Sequence, residues 1–253
     1  MVKKRLIPLM LLKDGRLVKG KQFSSYKDVG DPVKSAAVYN SQLADELIIL
    51  NIGSSSIQPL LDILDELSKV CFMPIALGGG IRSVEDAVTL IRHGADKVVV
   101  NTLCKRMPTA ISRISELVGR QALICAIDVR WDEELGDYVV YTESGKCKET
   151  ISLNESIQTM SELGAGEIFI QSIDRDGTAQ GYDVELASRV VEIAPKLPVI
   201  AAGGCGDYRH LKELFLDADV EAAACGSIFN FSDSNPIRAK AFLNNYDIKL
   251  KKV

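Results

Sequence analysis

Eight short apolar runs recur along the chain: LIPLMLL (6–12), ELIILNI (46–52), PIALGGG (74–80), KVVVNT (97–102), ALICAIDV (122–129), EIFIQSI (167–173), PVIAAGG (198–204) and EAAACGS (221–227). Each is nearly continuous in hydrophobicity rather than alternating, which predicts strands buried on both faces, as in a parallel sheet covered by helices. Between them lie amphipathic stretches of helical length over 31–43, 56–69, 83–93, 108–118, 153–163, 183–194, 207–217 and 236–245. Capping residues open several of these: Ser83 with Asp86 three residues on, then Asp183 and Asp207. Eight strand–helix units in 253 residues predict an α/β chain folded as a closed (βα)8 TIM barrel rather than an open sheet. No Pro/Ser-rich linker interrupts the pattern, so residues 1–253 read as a single domain. Two polar excursions stand out. Residues 130–150 read as a short hairpin over the barrel mouth, and 21–31 as a polar loop able to act as a lid.

The chain also echoes itself. ADELIILNI (44–52) is repeated as AGEIFIQSI (165–173), and PIALGGG as PVIAAGG. A helix later, each copy reaches a strand ending in small polar residues, Asn101-Thr102 and Gly226-Ser227. This predicts an internal duplication of half-barrels, about 1–120 and 121–253, with the first strand as counterpart of the fifth. The fifth ends in a carboxylate, Asp128, where the first offers only leucine.

Charge and cysteine usage narrow the partners. A net charge of −4 argues against general affinity for nucleic acid or anionic membranes, while leaving room for a local cationic pocket. No secretory signal pattern opens the sequence and no apolar run reaches membrane-spanning length, so the expected location is the cytoplasm. The six cysteines form no C-x-x-C pair, which predicts neither a metal site nor a disulfide framework, and no cofactor is implied.

In a βα barrel the loops after the strands form the active face. Gly79 and Gly80, and Gly203 and Gly204, each follow an apolar strand and precede a helix, where backbone N–H groups can approach an anion closely. With their partners Asn101, Thr102, Gly226 and Ser227, they predict two phosphate sites and a ligand phosphorylated at both ends; tight packing at a strand corner is the competing reading. Lys19, in the turn after the first strand, can add a charge or be a solvated loop lysine. In SIDRDGTAQGYD (172–183), Asp174 or Asp176 can contact ligand and Gly177 can admit its phosphate, or the segment is an Asx-rich turn. Asp128 is the candidate general acid or base, since partial burial raises a carboxyl toward neutral pH. At the opposite strand ends, Arg5, Glu46, Lys97 and Glu167 converge either as a charged plug or as an ordinary stabilising network. His93 and His210 fall within helices and receive no role.

Taken in order, KDGRLVKG, GDPV, ADEL, GGGIRSVEDA, GADKVVVNT, AIDVR, GAGEI, SIDRDGT, GYD, PVIAAGG and SIFNF resemble HisF, the cyclase subunit family of imidazole glycerol phosphate synthase. The resemblance runs nearly end to end. It implies a HisH-type glutaminase docked on the bottom face, with ammonia passing a gate of Arg5, Glu46, Lys97 and Glu167 and rising to meet a bisphosphorylated ribonucleotide at the mouth. Family members carry paired aspartates at the ends of strands one and five; here Asp128 is present, but the strand-one position is Leu11. Leucine neither donates nor accepts a proton. Asn51 and Gln171 stand where the family usually has Asp and Thr, two further changes expected to touch the mouth. The sequence thus looks like a divergent HisF-like branch associated with surface-sugar amidotransferases. Cyclase activity is then expected to be weak or lost, with ammonia handed to a third protein. Two alternatives stay open: a working cyclase in which Asp176 or a water substitutes for the missing acid, and a non-catalytic barrel that senses a phosphorylated ligand and activates the glutaminase. The related HisA-type sugar isomerases share the half-barrel plan but fit the motif spellings less well.

Overall fold

The computed structural model describes residues 3–251, so residues 1, 2, 252 and 253 of the expected 1–253 domain lie outside the described residues. Strand β1 (Arg5–Lys13) begins the chain's sheet and is extended by an antiparallel pair, β2 (Arg16–Lys21) and β3 (Ser24–Gly30). Next come β4 (Leu47–Asn51), β5 (Ile75–Gly78) and β6 (Lys97–Val100). The long β7 (Leu123–Asp132) carries a second antiparallel extension, β8 (Asp137–Thr142) and β9 (Cys147–Ser152). The series ends with β10 (Glu167–Ser172), β11 (Val199–Ala202) and β12 (Ala222–Cys225). Parallel pairing runs β1-β4-β5-β6-β7-β10-β11-β12, and β12 pairs back onto β1. The result is the closed eight-stranded barrel that the apolar runs predict.

The helices occupy the expected segments. They are α1 (Pro32–Ser41), α2 (Gln58–Leu67), α3 (Val84–Arg92), α5 (Thr109–Val118), α6 (Leu153–Glu162), α7 (Val184–Ile193), α8 (Tyr208–Asp217) and α10 (Pro236–Asn244), with short α4 (Thr102–Arg106) and α9 (Ser227–Asn230) directly after β6 and β12. Ser83 and Asp86 close a reciprocal capping box, each accepting from the other's backbone N–H at 3.1 Å. Asp183 and Asp207 cap α7 and α8 as predicted.

Alternation along the strands sorts the core into two layers. Ile7, Leu9, Ile48, Ala76, Val99, Ile124, Ala126, Phe169, Ile200, Ala202, Ala222 and Ala224 fill the lumen. Their neighbours in sequence, such as Leu6, Met10 and Cys125, face the helices.

One expectation is corrected. Residues 21–31 are not a loop: β3 spans most of them, and the turn is made at Gln22 and Phe23, both at positive φ, with Lys21 paired to Ser24. The two antiparallel extensions occupy matching places in the two halves, with Leu11 opposite Val18 and Asp128 opposite Tyr141. This agrees with the echo in the sequence.

The last helix is tied to the barrel by a charge pair that no local pattern announces. Lys240 on α10 donates to Asp45 at 2.7 Å and to the Leu43 carbonyl at 2.7 Å, while Asp45 also accepts from the Leu6 N–H at 2.8 Å. Both side chains are buried. Removing one partner would strand the other in apolar surroundings, so Asp45→Ala is expected to cost about 3–5 kcal/mol in urea unfolding, and adding Lys240→Met should return part of it.

Candidate functional site

The upper end of the barrel is nearly closed. Leu9, Leu11, Gln171, Ala224 and the loops after β10, β11 and β12 surround a cavity of about 30 Å³. Over it lies the β2–β3 hairpin. The Gln22 N–H donates to the Asp176 carbonyl at 2.9 Å, the Gln22 side chain to the Asp174 carbonyl at 3.0 Å, and the Phe23 N–H to the Asp176 carboxylate at 3.4 Å. Gly177 has φ +67, and a Cβ there would come within 2.2 Å of the Gly20 carbonyl oxygen, so hairpin and loop meet backbone to backbone.

Asp128 points inward from the middle of β7, level with Gln171 on β10, and is 8% exposed. Its one hydrogen-bond partner among the described residues is the Asn101 amide, at 2.8 Å. Burial pushes the carboxyl up to about 7; the Asp176 charge adds to the rise and Asn101 opposes it. Burial also raises Asp176, against the Phe23 N–H, the Lys19 charge and the Gln171 amide, which donates to it at 3.3 Å. Leu11 faces this pair from β1 with no proton to offer. Two carboxyls whose proton affinity burial raises therefore sit at the mouth, contributed by β7 and by the loop after β10.

Lys19 is buried, not a solvated loop lysine. Its ammonium donates to the Leu9 carbonyl, and a Cβ on Gly226 would sit 2.8 Å from it. Burial brings it down to about 8, with Asp176 holding it up. Lys19, Asp176, Gly177, Gly203, Gly204, Gly226 and Ser227 thus share one cavity. The other predicted cluster lies apart from it. Gly79 and Gly80 adopt positive φ, and a Cβ on Gly79 would meet the Asn51 carbonyl oxygen at 2.0 Å, just as one on Gly204 would meet the Gly181 carbonyl oxygen at 2.0 Å. Asn101 holds Asp128, and the Thr102 hydroxyl accepts from the Glu143 N–H at 3.3 Å, clasping the second hairpin to α4. Asn51 does not reach the mouth. Its amide donates to the Ser54 and Ser56 carbonyls at 3.2 and 2.8 Å and organises the loop after β4.

At the lower end the four expected charges form one ring. Arg5 donates to Glu46 at 2.7 Å and to Glu167; Lys97 donates to Glu46 at 2.9 Å and to Glu167 at 2.5 Å. Burial alone would raise the Glu167 carboxyl, but Arg5 and Lys97 outweigh it and hold it below the usual range. Both cations use the same oxygen of Glu46, leaving its buried Oε1 without a donor among the described residues. Directly above lies the apolar lumen. The charged ring, the apolar lumen and the mouth that holds Asp128 and Asp176 lie on one axis.

Comparison with known proteins places this arrangement. The family model described as "Histidine biosynthesis protein" matches residues 5–235, which defines the class as that family's (βα)8 barrels. Among curated proteins, the chain is 39% identical to the imidazole glycerol phosphate synthase subunit HisF of Staphylococcus carnosus, over 99% of each chain. It is 43% identical to that of Chlorobaculum parvum over 99% of this chain and all of the relative, and 38% identical to that of Alkaliphilus metalliredigens over the whole of both. The chain belongs to the HisF family.

The raised Asp128 carboxyl has a measurable consequence. Between about pH 4 and 7 the folded chain holds a proton there that the unfolded chain has lost, so this group's contribution to stability falls as pH rises through that window. Asp128→Asn removes the dependence: in urea unfolding the variant should match the parent near pH 4 and exceed it by on the order of a few kcal/mol at pH 8.

Proposed function

We propose that this chain is the barrel subunit of a glutamine amidotransferase whose own cyclisation chemistry is weak. A HisH-type glutaminase docks on the lower face. Ammonia passes the ring of Arg5, Glu46, Lys97 and Glu167, rises through the apolar lumen as the neutral molecule and emerges beside Asp128. From there it goes to a third protein that amidinates a bacterial surface sugar. The observation that carries the reading is the contrast between the two ends of β1: Arg5 is fully engaged in the charged ring, whereas Leu11 stands where a second acid would face Asp128. The orphaned Oε1 of Glu46 supports the same path, because it can accept from an incoming N–H donor. A phosphorylated ligand at the mouth would use Lys19 with the backbone amides around Gly203, Gly204, Gly226 and Ser227.

A second reading is a working cyclase in which Asp176 takes the place of the missing strand-one acid. It is favoured by one observation: the Asp176 charge lies near enough to help push Asp128 upward.

Ammonium-dependent turnover of the bisphosphorylated ribotide by the purified barrel separates the two. Loss of a positioned acid–base group should leave the rate roughly 10²–10⁴-fold below that of a family member with both aspartates, and Leu11→Asp should recover part of it. A normal rate, insensitive to Leu11→Asp and abolished by Asp176→Asn, would establish the second reading instead. For the path itself, Lys97→Met should lower the ratio of glutamine-driven to ammonium-driven nitrogen transfer in the complex with the glutaminase; an unchanged ratio argues that the barrel conducts no ammonia.

A further inference from the structure

Two cations on the mouth rim belong to neither the charged ring nor the lysine-and-glycine cavity. Lys13 lies two residues beyond Leu11 on β1, and Arg130 two beyond Asp128 on β7; strand alternation turns both to the inward face. They are counterparts in the two halves. Because β1 and β7 are separated by three strands in one direction around the barrel and three in the other, they stand on opposite walls. Each cation rests over a tyrosine from its own hairpin: Lys13 Nζ is 5.6 Å from the Tyr26 ring centre, and the Arg130 guanidinium 5.4 Å from that of Tyr141.

Some cations around the two hairpins are neutralised, Arg16 by Asp28 at 2.8 Å, Lys148 by Asp132 at 2.7 Å and Arg106 by Glu143 at 3.2 Å, whereas Lys21, Lys27 and Lys146 have no ion pair among the described residues. The acids on the Arg130 face are engaged elsewhere, Asp128 with Asn101 at 2.8 Å and Asp132 with Lys148. Among the described residues neither Lys13 nor Arg130 has a carboxylate partner. Moreover, the Nε of Arg130 is buried with no acceptor. A buried guanidinium N–H left unpaired is costly, and the rarity of such groups in folded proteins makes each one a pointer to a missing partner. The Nε and one Nη of arginine form a planar fork that matches two oxygens of a carboxylate or phosphoryl group.

We propose that Arg130, with Lys13 facing it across the mouth, forms an oxyanion site on the barrel rim that takes the carboxylate or phosphoryl group of a ligand. Tyr141 and Tyr26 hold the two long side chains in place, so that less rotamer freedom is lost when the anion arrives. The site is distinct from the cavity around Lys19 and Gly226, whose lining includes none of Lys13, Tyr26, Arg130 and Tyr141. It holds whether or not the barrel conducts ammonia.

The test is calorimetric titration of the full chain at low ionic strength, with sodium glucuronate in one series and inorganic phosphate in the other. At least one probe should saturate, with Arg130→Gln weakening it about ten-fold, Lys13→Gln acting in the same direction, and Arg130→Lys falling between. Sensitivity confined to glucuronate assigns a carboxylate ligand; sensitivity confined to phosphate assigns a phosphoryl one. In the unaltered protein, the Arg130 Nε–H resonance should shift on addition of the effective probe, a readout that needs no variant to fold. Saturation by neither probe, or binding that both substitutions leave unchanged while the Nε–H resonance stays still, overturns the proposal. Neither glutaminase nor ammonia is present, so failure here leaves the nitrogen-transfer reading untouched.

Discussion

Parallel pairing between the first and last barrel strands, from Arg5 opposite Ala222 to Pro8 opposite Cys225, is the constraint on which the rest of the molecule depends. Once the sheet closes it has no edge in the ring, and every second side chain of all eight strands must point at one axis. The inward row of β1 then reads, from bottom to rim, Arg5, Ile7, Leu9, Leu11 and Lys13. Ring cation, lumen wall, missing acid and rim cation are successive steps of one period-two pattern. The inward row of β7 reads Ile124, Ala126, Asp128 and Arg130, the same path with its acid retained. Without closure these residues would lie on one face of an open sheet and converge on nothing.

Burying charge in such a barrel is costly, and the chain handles the cost in two ways. In the lower ring, each of two cations donates to both of two carboxylates, so opposite charges and hydrogen bonds together offset desolvation. Asp45 and Lys240 follow the same rule where α10 docks. At the mouth the rule is relaxed. Among the described residues, Asp128 has an amide and no cation, Lys19 has a backbone carbonyl, and the Arg130 Nε has no acceptor. Groups left short of partners have shifted proton affinities or unmet hydrogen-bonding capacity, which is what chemistry and ligand binding need. Paired charges hold the barrel together; those without an ion pair gather at the mouth.

The replacement at position 11 acts within this frame. An aspartate there would add a third carboxyl to a mouth that already carries Asp128 and Asp176, neither with a salt-bridge partner among the described residues. Leucine removes that repulsion and one proton carrier together. It leaves the strand, the ring below and the rim above intact. Under the proposed reading, a change of this kind alters the chemistry of the mouth and not the barrel that carries it.

The sequence by itself determined the barrel, its eight helices, the half-barrel echo and most of the residues that line the axis. Those features are written in local periodicity: continuous apolar runs, amphipathic stretches, caps such as Ser83, and repeated strand-end motifs. Local pattern was silent where long-range pairing or side-chain direction decided. The polar stretch 24–30 carries no strand period, because as part of a small two-stranded extension it buries little; only its pairing with β2 makes it a strand. Asn51 sits at a strand end like a mouth residue, yet its amide turns to Ser54 and Ser56 because the loop after β4 offers carbonyls closer than the cavity does. Asp45 and Lys240 meet across 195 residues, and Lys13 and Arg130 face each other only because the sheet is closed. Periodicity of a few residues can say which face a side chain takes; which other side chain shares that face is settled when the chain's two ends meet.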